Sequence, residues 1–284
     1  MSDNDSSFPP KQYDAGEVAR FFDAYGQREW DRLVENPNNE VSLYIHQHYL
    51  HKHIDRGQRV LEMGAGAGRF TRYLAQLGAR IVVADISPGQ LGLNKKHAKQ
   101  YGYSQAIEAW VHMDICDMSN FVDGEFDCVV AYGGPLSYAL DQRDSALTEC
   151  IRVLKTRGLL MLSVISLWGS AHRHLIRVLE TLLETNRIIT ETGDILPGMI
   201  DGRGQFFHMF RARELRSWLE QAGLQVLEMS ASDCLSTAWG ERLREIREDP
   251  EKWNELLRME LEACAEEGSL NMGMHTIAVS RKIG

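Results

Sequence analysis

Residues 60–71 read Val60-Leu-Glu-Met-Gly-Ala-Gly-Ala-Gly-Arg-Phe-Thr71: a short aliphatic run, three glycines at alternate positions, and the opening of a helix. Without side chains at Gly64, Gly66 and Gly68, the backbone turns sharply and can lie close against a ligand. The helix start that follows offers unpaired N–H groups to a polar or anionic group. Nucleotide and dinucleotide proteins share turns of this kind, so the details decide. In the dinucleotide fingerprint G-x-G-x-x-G the third glycine would fall where Arg69 stands; here it comes one residue early. Glu62 precedes the first glycine by two residues. A carboxylate there repels a pyrophosphate and attracts an amino group, so the turn favours a cationic nucleoside over a dinucleotide.

Working outward, Arg59–Met63 is expected as a buried strand and Ala67–Leu77 as a helix ended by Gly78. Arg80–Asp85 is a second strand, and a helix opens at Pro88, with proline at the favoured first position. Ile107–Met113, Phe126–Ala131 and Gly158–Ile165 are further strands, with a helix over Asp144–Leu154. Short apolar strands alternating with helices imply right-handed crossovers and a parallel sheet covered on both faces. A sixth strand is expected at Leu224–Met229 and a last one at His275–Val279.

The chain divides into an N-terminal helical lid (1–55), a core (56–166), a cap insertion (167–210) and the end of the sheet (211–284), with a helical insertion at about 231–271. Both insertions are expected to cover the carboxyl edge of the sheet, where open α/β sheets bind ligands.

Composition narrows the function. The 284 residues carry 31 Lys plus Arg against 40 Asp plus Glu, a net charge of −9. Nucleic-acid binders present basic surfaces, so no nucleic-acid partner is expected. No apolar run is long enough to span a membrane, and Met1–Pro10 lacks the marks of a signal peptide. Five widely spaced cysteines fit reduced thiols and a cytoplasmic location. Oligomeric state is not legible.

Two acids accompany the glycine turn. Asp85, 21 residues beyond Gly64, ends the second strand, where a carboxylate accepts both ribose hydroxyls. Asp114 follows the third strand in His112-Met-Asp-Ile-Cys116, placed for an adenine amino group, with Ile86 and Ile115 beside the ring. The Glu-x-Gly-x-Gly-x-Gly turn and these acids, in this order, resemble the class I S-adenosylmethionine-dependent methyltransferases. The match is close over Gln58–Leu162 and looser beyond. The resemblance implies a doubly wound, mostly parallel seven-stranded α/β sheet with an antiparallel last strand, here with α-helical cap insertions. It implies S-adenosylmethionine as cofactor, held by Glu62, Gly64, Ala65, Gly66, Gly68, Asp85, Ile86, Asp114 and Ile115, with Ala131 and Tyr132 lining the methyl-donor pocket.

The segment after the fourth strand, Ala131-Tyr-Gly-Gly-Pro-Leu-Ser-Tyr138, lacks the Asn/Asp-Pro-Pro-Tyr/Phe run of amino-methylating DNA enzymes and the Pro-Cys of cytosine-C5 enzymes. Ser166-Leu-Trp-Gly169 stands where metal-dependent catechol enzymes carry acidic ligands. By elimination the chain looks like a metal-independent enzyme acting on a small organic molecule. His208 is the first candidate for a general base, with Tyr132 and Tyr138 as hydrogen-bonding alternatives; a packing role for His208 weighs about equally.

In the cluster His46–His53, helical spacing puts His46 and His53 on one side and His48 and His51 on nearly the opposite side, favouring a solvated flank over a metal site. Phe21, Phe22, Tyr25 and Trp30 either pack on the sheet or form a lid through which Tyr13 or Tyr25 reaches the ligands. His112 and the cysteines are expected in the core. A cofactor-binding protein without catalysis, or less readily a nicotinamide oxidoreductase, stays open as an alternative.

Overall fold

The computed structural model describes residues 12–200 and 206–284. The polar tail Met1–Pro10 and part of the Gly-rich stretch 193–204 lie outside the described residues. Seven strands form one sheet: β1 (Arg59–Met63), β2 (Arg80–Asp85), β3 (Ile107–His112), β4 (Phe126–Ala131), β5 (Leu154–Ile165), β8 (Leu224–Ala231) and β9 (His275–Lys282). The short β6 (Asp194–Ile195) and β7 (Phe207–His208) make a separate antiparallel ladder. The sheet order is β3-β2-β1-β4-β5-β9-β8, with β9 antiparallel to both neighbours and the first five strands parallel. The expected doubly wound sheet with a reversed last strand is what the chain forms.

Each face of the sheet carries its own core. Leu61, Met63, Val82 and Val129 pack one side with the helices Arg143–Val153 and Ala212–Gln221. Val60, Ile81, Val83 and Val130 pack the other, against Val41, Ile45 and Tyr49 of the helix Pro37–His53. Those three residues recur every fourth position and so share one face of that helix. Asn36 accepts from Asn39 N at its start, and Pro37 opens it.

The fifth strand begins at Leu154, not Gly158. Arg157 takes a left-handed φ of 66°, and the register against β4 slips between Phe126 and Cys128. A bulge of this kind lets the pairing run through what the sequence suggests is a turn.

The two insertions part company. Residues 167–210 fold as the helices Leu167–Arg173, Leu175–Glu180 and Leu183–Thr192 plus the β6–β7 ladder, with a small core of Ile165, Leu167, Ile189, Ile195, Met199 and Met209. This cap sits over the sheet edge. The second insertion reaches that edge only near Asp233. Trp253, Leu256, Leu257 and Leu261 of its helix Pro250–Ala265 join the core beneath the helix Pro37–His53 and β8, which draws it to the flank.

Among the described residues, no helix is long and apolar enough to cross a membrane. His112, expected in the core, is exposed, its Nε2 2.9 Å from Ile86 O, and Cys116 is only half-buried; the other four cysteines are buried.

Candidate donor and acceptor sites

The glycine turn joins β1 to the helix Arg69–Gln76 with Gly64, Gly66 and Gly68 at φ values of 65°, 53° and 98°. A Cβ on Gly64 would lie 2.6 Å from Pro135 Cγ, so even alanine would close this turn on the loop after β4. Asp85 is buried at the end of β2. Its Oδ2 accepts from Gly66 N at 2.7 Å and its Oδ1 from Ser87 N at 2.8 Å. The carboxylate thus ties the turn to β2 and keeps a lone pair on each oxygen. Burial raises its pKa to about 6 against the opposing hydrogen bonds.

A cleft beside the turn is lined by Gly64, Gly66, Asp85, Ile86, Ile115, Tyr132 and Tyr138, all expected ligand neighbours, and by Tyr13, Phe22, Glu29, Arg32 and Pro135. Ala65, Gly68 and Ala131 stand outside that lining, and Asp114 meets it through Tyr13, whose hydroxyl donates to Asp114 Oδ1 at 2.7 Å. Glu62 departs from expectation. It is 2 % exposed, does not line the cleft, and interacts with Thr71 of the helix beyond the turn. Burial pushes its pKa up to about 8, and Oε2 has no hydrogen-bond partner.

The lid closes over this cleft. Asp23 accepts from Ser87 Oγ and from Gly89 N, while Gln90 Nε2 donates to Phe22 O at 2.9 Å and Gly26 O at 3.0 Å. Arg69, which takes the place of the fingerprint's third glycine, lies 4.0 Å over the Trp30 ring and donates to Trp30 O. Sequence reasoning passed over Glu29 and Arg32. They pair at 2.7 Å, and Glu29 fills the space that a side chain on Gly66 would need. The available signal was an i, i+3 pair of opposite charges on either side of the buried Trp30.

Beyond the cleft lies a cavity of about 310 Å³ under the cap. Phe22, Glu29, Arg32, Gly133 and Tyr138 border both spaces. Its other walls are mainly apolar, with Phe21, Ile165, Leu167, Ile189, Phe207 and Met209, plus His174 and His275. Burial keeps the His275 imidazole neutral, and burial holds the Tyr138 hydroxyl in its protonated form. Tyr13 lines the cleft and Tyr25 the cavity, so the N-terminal segment both packs and covers.

His208 is not among the cavity walls. Its ring is 2 % exposed, with Nδ1 2.7 Å from Asp194 Oδ1 and Nε2 2.8 Å from Glu214 Oε1. Both nitrogens are engaged, which leaves neither to take a proton from an acceptor; the side chain braces the cap ladder against the helix Ala212–Gln221. Burial opposes its charge, but the two carboxylates outweigh burial and raise its pKa. A pKa raised on folding stabilises fully below the unfolded value of about 6.5 and is lost as pH rises through the folded value. His208→Gln should therefore lower stability by roughly 1–3 kcal/mol near pH 6, with the gap narrowing towards pH 9. Melting curves of both proteins across that range check this; a gap unchanged with pH would remove the charged-imidazole account.

The histidine cluster also differs from expectation. His46 is buried and His53 binds Glu228, so only part of that helix is a solvated flank.

Comparison with known proteins agrees with this architecture. Residues 61–162 match the family described as "methyltransferase domain". The chain is 27% identical over 234 residues to the ubiquinone/menaquinone biosynthesis C-methyltransferase of Hahella chejuensis, covering 77% of this chain and 84% of that one. It is 26% identical over 218 residues to a ubiquinone biosynthesis O-methyltransferase of Pseudomonas aeruginosa, covering 76% and 85%. The crystal structure of Burkholderia thailandensis 1,6-didemethyltoxoflavin-N1-methyltransferase, with bound 1,6-didemethyltoxoflavin and S-adenosylhomocysteine, shares the fold with a TM-score of 0.55. That match covers 100% of this chain and 99% of that one at 14% identity. Residues 61–162 thus match a methyltransferase domain, set in a chain that shares its fold with the Burkholderia enzyme.

Proposed function

We propose that the protein transfers a methyl group from S-adenosylmethionine to a small organic acceptor seated in the cavity under the cap, by in-line displacement without a metal ion. The observation that carries this is the shared border. Gly133 and Tyr138 face both the cleft at the glycine turn and the apolar cavity, so one ligand in each would meet there.

The residues present fit the cofactor. Asp85 has acceptor capacity left for two ribose hydroxyls, Ile86 and Ile115 offer apolar contacts to a base, and Asp114 stands at the rim. Glu62 supports the turn from behind. Bound there, S-adenosylmethionine supplies an already activated methyl group.

The protein's work is then alignment and exclusion of water. Phe21, Phe22 and Tyr25 of the lid close the cavity on one side and the cap closes it on the other. Tyr138 holds a protonated hydroxyl towards the acceptor. His275 and His174 are the imidazoles in the cavity wall, where His208 is absent. After β5, Ser166 caps its helix by accepting from Gly169 N and Leu167 is buried in the cavity wall, which puts no acidic ligand there.

Calorimetry with S-adenosylmethionine, S-adenosylhomocysteine and NAD tests the reading. Micromolar binding of the first two and none of NAD is expected, with ligand at ~100 times its dissociation constant adding roughly 2.7 kcal/mol to stability. Binding of NAD, or of none of the three, would overturn it.

A further inference from the structure

A third space, about 240 Å³, adjoins the other two and carries several charged and polar side chains in its wall. It shares Arg32 and Gly133 with both, and His174, Met274 and His275 with the apolar cavity. His46 and Asp233 line it, 3 % and 0 % exposed. The His46 Nδ1 lies 2.7 Å from Ser42 O, a group that only accepts, so Nδ1 carries the proton and Nε2 presents a bare lone pair. That Nε2 has no hydrogen-bond partner, and burial keeps the ring neutral by lowering its pKa to about 4. Asp233 Oδ1 accepts from Ser232 Oγ at 2.7 Å and Met274 N at 3.0 Å, but Oδ2 accepts nothing. The nearest cation to it, Arg173 Nη1, stays 3.9 Å away, while Arg173 Nη2 donates to Asn39 Oδ1 at 3.2 Å.

Two buried acceptors left bare call for a donor, because each such group costs free energy until it is paired. A cation alone would satisfy them and leave the Arg173 guanidinium without an anion. An anion alone would suit Arg173 and meet Asp233. A group bearing both signs answers both walls.

Taking the proposed methyl transfer as given, we infer that this space is the head-group subsite of the acceptor and takes an α-amino-carboxylate: ammonium towards His46 Nε2 and Asp233 Oδ2, carboxylate towards Arg173. The apolar cavity next to it then receives a large apolar side chain, making the acceptor an amino acid or a close derivative of one. The methionine tail of the methyl donor has the same head group, and Phe70 of the helix after the glycine turn reaches this space, but the charged groups that would hold the head group come from elsewhere: Asp233 follows β8 and Arg173 belongs to the cap. Strands β4, β5 and β9 lie between β1 and β8 in the sheet.

The test titrates L-phenylalanine, 3-phenylpropanoate and 2-phenylethylamine into protein saturated with S-adenosylhomocysteine. L-Phenylalanine should bind at least on the order of tenfold tighter than either analogue, since a site built for a polar group rejects the molecule lacking it. In Arg173→Gln its affinity should fall to that of the amine. In Asp233→Asn, which keeps the Oδ1 acceptor, it should fall towards that of the acid, with S-adenosylhomocysteine affinity unchanged in both. Equal binding of the three probes, or binding of none, overturns the inference. So does an equal loss of S-adenosylhomocysteine affinity in Arg173→Gln, which would hand the subsite to the donor's own tail. Failure of the unaltered protein to bind S-adenosylhomocysteine would instead sink the methyl-transfer reading itself.

Discussion

Asp85→Ala is expected to weaken S-adenosylmethionine binding by about 10- to 150-fold, the equivalent of roughly 1.5–3 kcal/mol for hydrogen bonds to a charged group. Two losses combine. The ribose acceptors go, and Gly66 N and Ser87 N lose the carboxylate that fixes the turn against β2. The variant should therefore also lose stability, which separates it from a purely surface contact. The same carboxylate sets a pH limit. Its pKa stands at about 6, raised by burial, so protonation removes acceptor capacity as pH falls through that value. Affinity should decline below about pH 6 in the unaltered protein and lose that slope in Asp85→Ala. Calorimetry at pH 5, 6 and 7.5 reads both effects; undiminished affinity in the folded variant would remove Asp85 from the site.

Gly169→Ala should have the largest effect on the fold. Its Cβ would stand 1.6 Å from Gly273 O, a backbone atom of the turn leading into β9. Gly273 is itself closely packed, since a Cβ there would come within 2.4 Å of the Asp233 backbone. The first cap helix must then move off the sheet end, at a cost of roughly 3 kcal/mol or more. Leu167, Ser170 and Ala171 of that helix wall the acceptor cavity, so acceptor binding should fall along with stability. Urea unfolding measures the first effect; a change under about 0.5 kcal/mol would show that the contact relaxes freely.

Where local chemistry decides structure, the sequence was legible. The glycine turn and the alternation of strand and helix are set by neighbours in the chain, and both stand where expected, with Asp85 in the cleft and Asp114 meeting it through Tyr13. The acceptor side is set by contacts between distant segments. His208 looked like a base from its aromatic neighbours, but Asp194 and Glu214, 14 and 6 residues away in the chain, take both nitrogens. Glu62 lies in the expected strand, yet its alternation turns it under the helix towards Thr71. Arg32 gave no motif signal, because its place at the meeting of three cavities depends on where the lid lands on Gly133. The second insertion carries the same helical periodicity as the cap, and periodicity does not say which surface a helix will cover.

The lid's attachments have a kinetic consequence. Tyr13 binds Asp141 through its N–H and Asp114 through its hydroxyl, and Asp23 and Gln90 tie the following helix to the segment after β2. On the proposed reading, a nucleoside beneath these bonds leaves only when they open, which would make the departure of spent cofactor a property of the N-terminal segment. Turnover in such an enzyme is governed by release as much as by chemistry. Loosening the segment with Tyr13→Phe would then speed product exchange while weakening the hold on the donor.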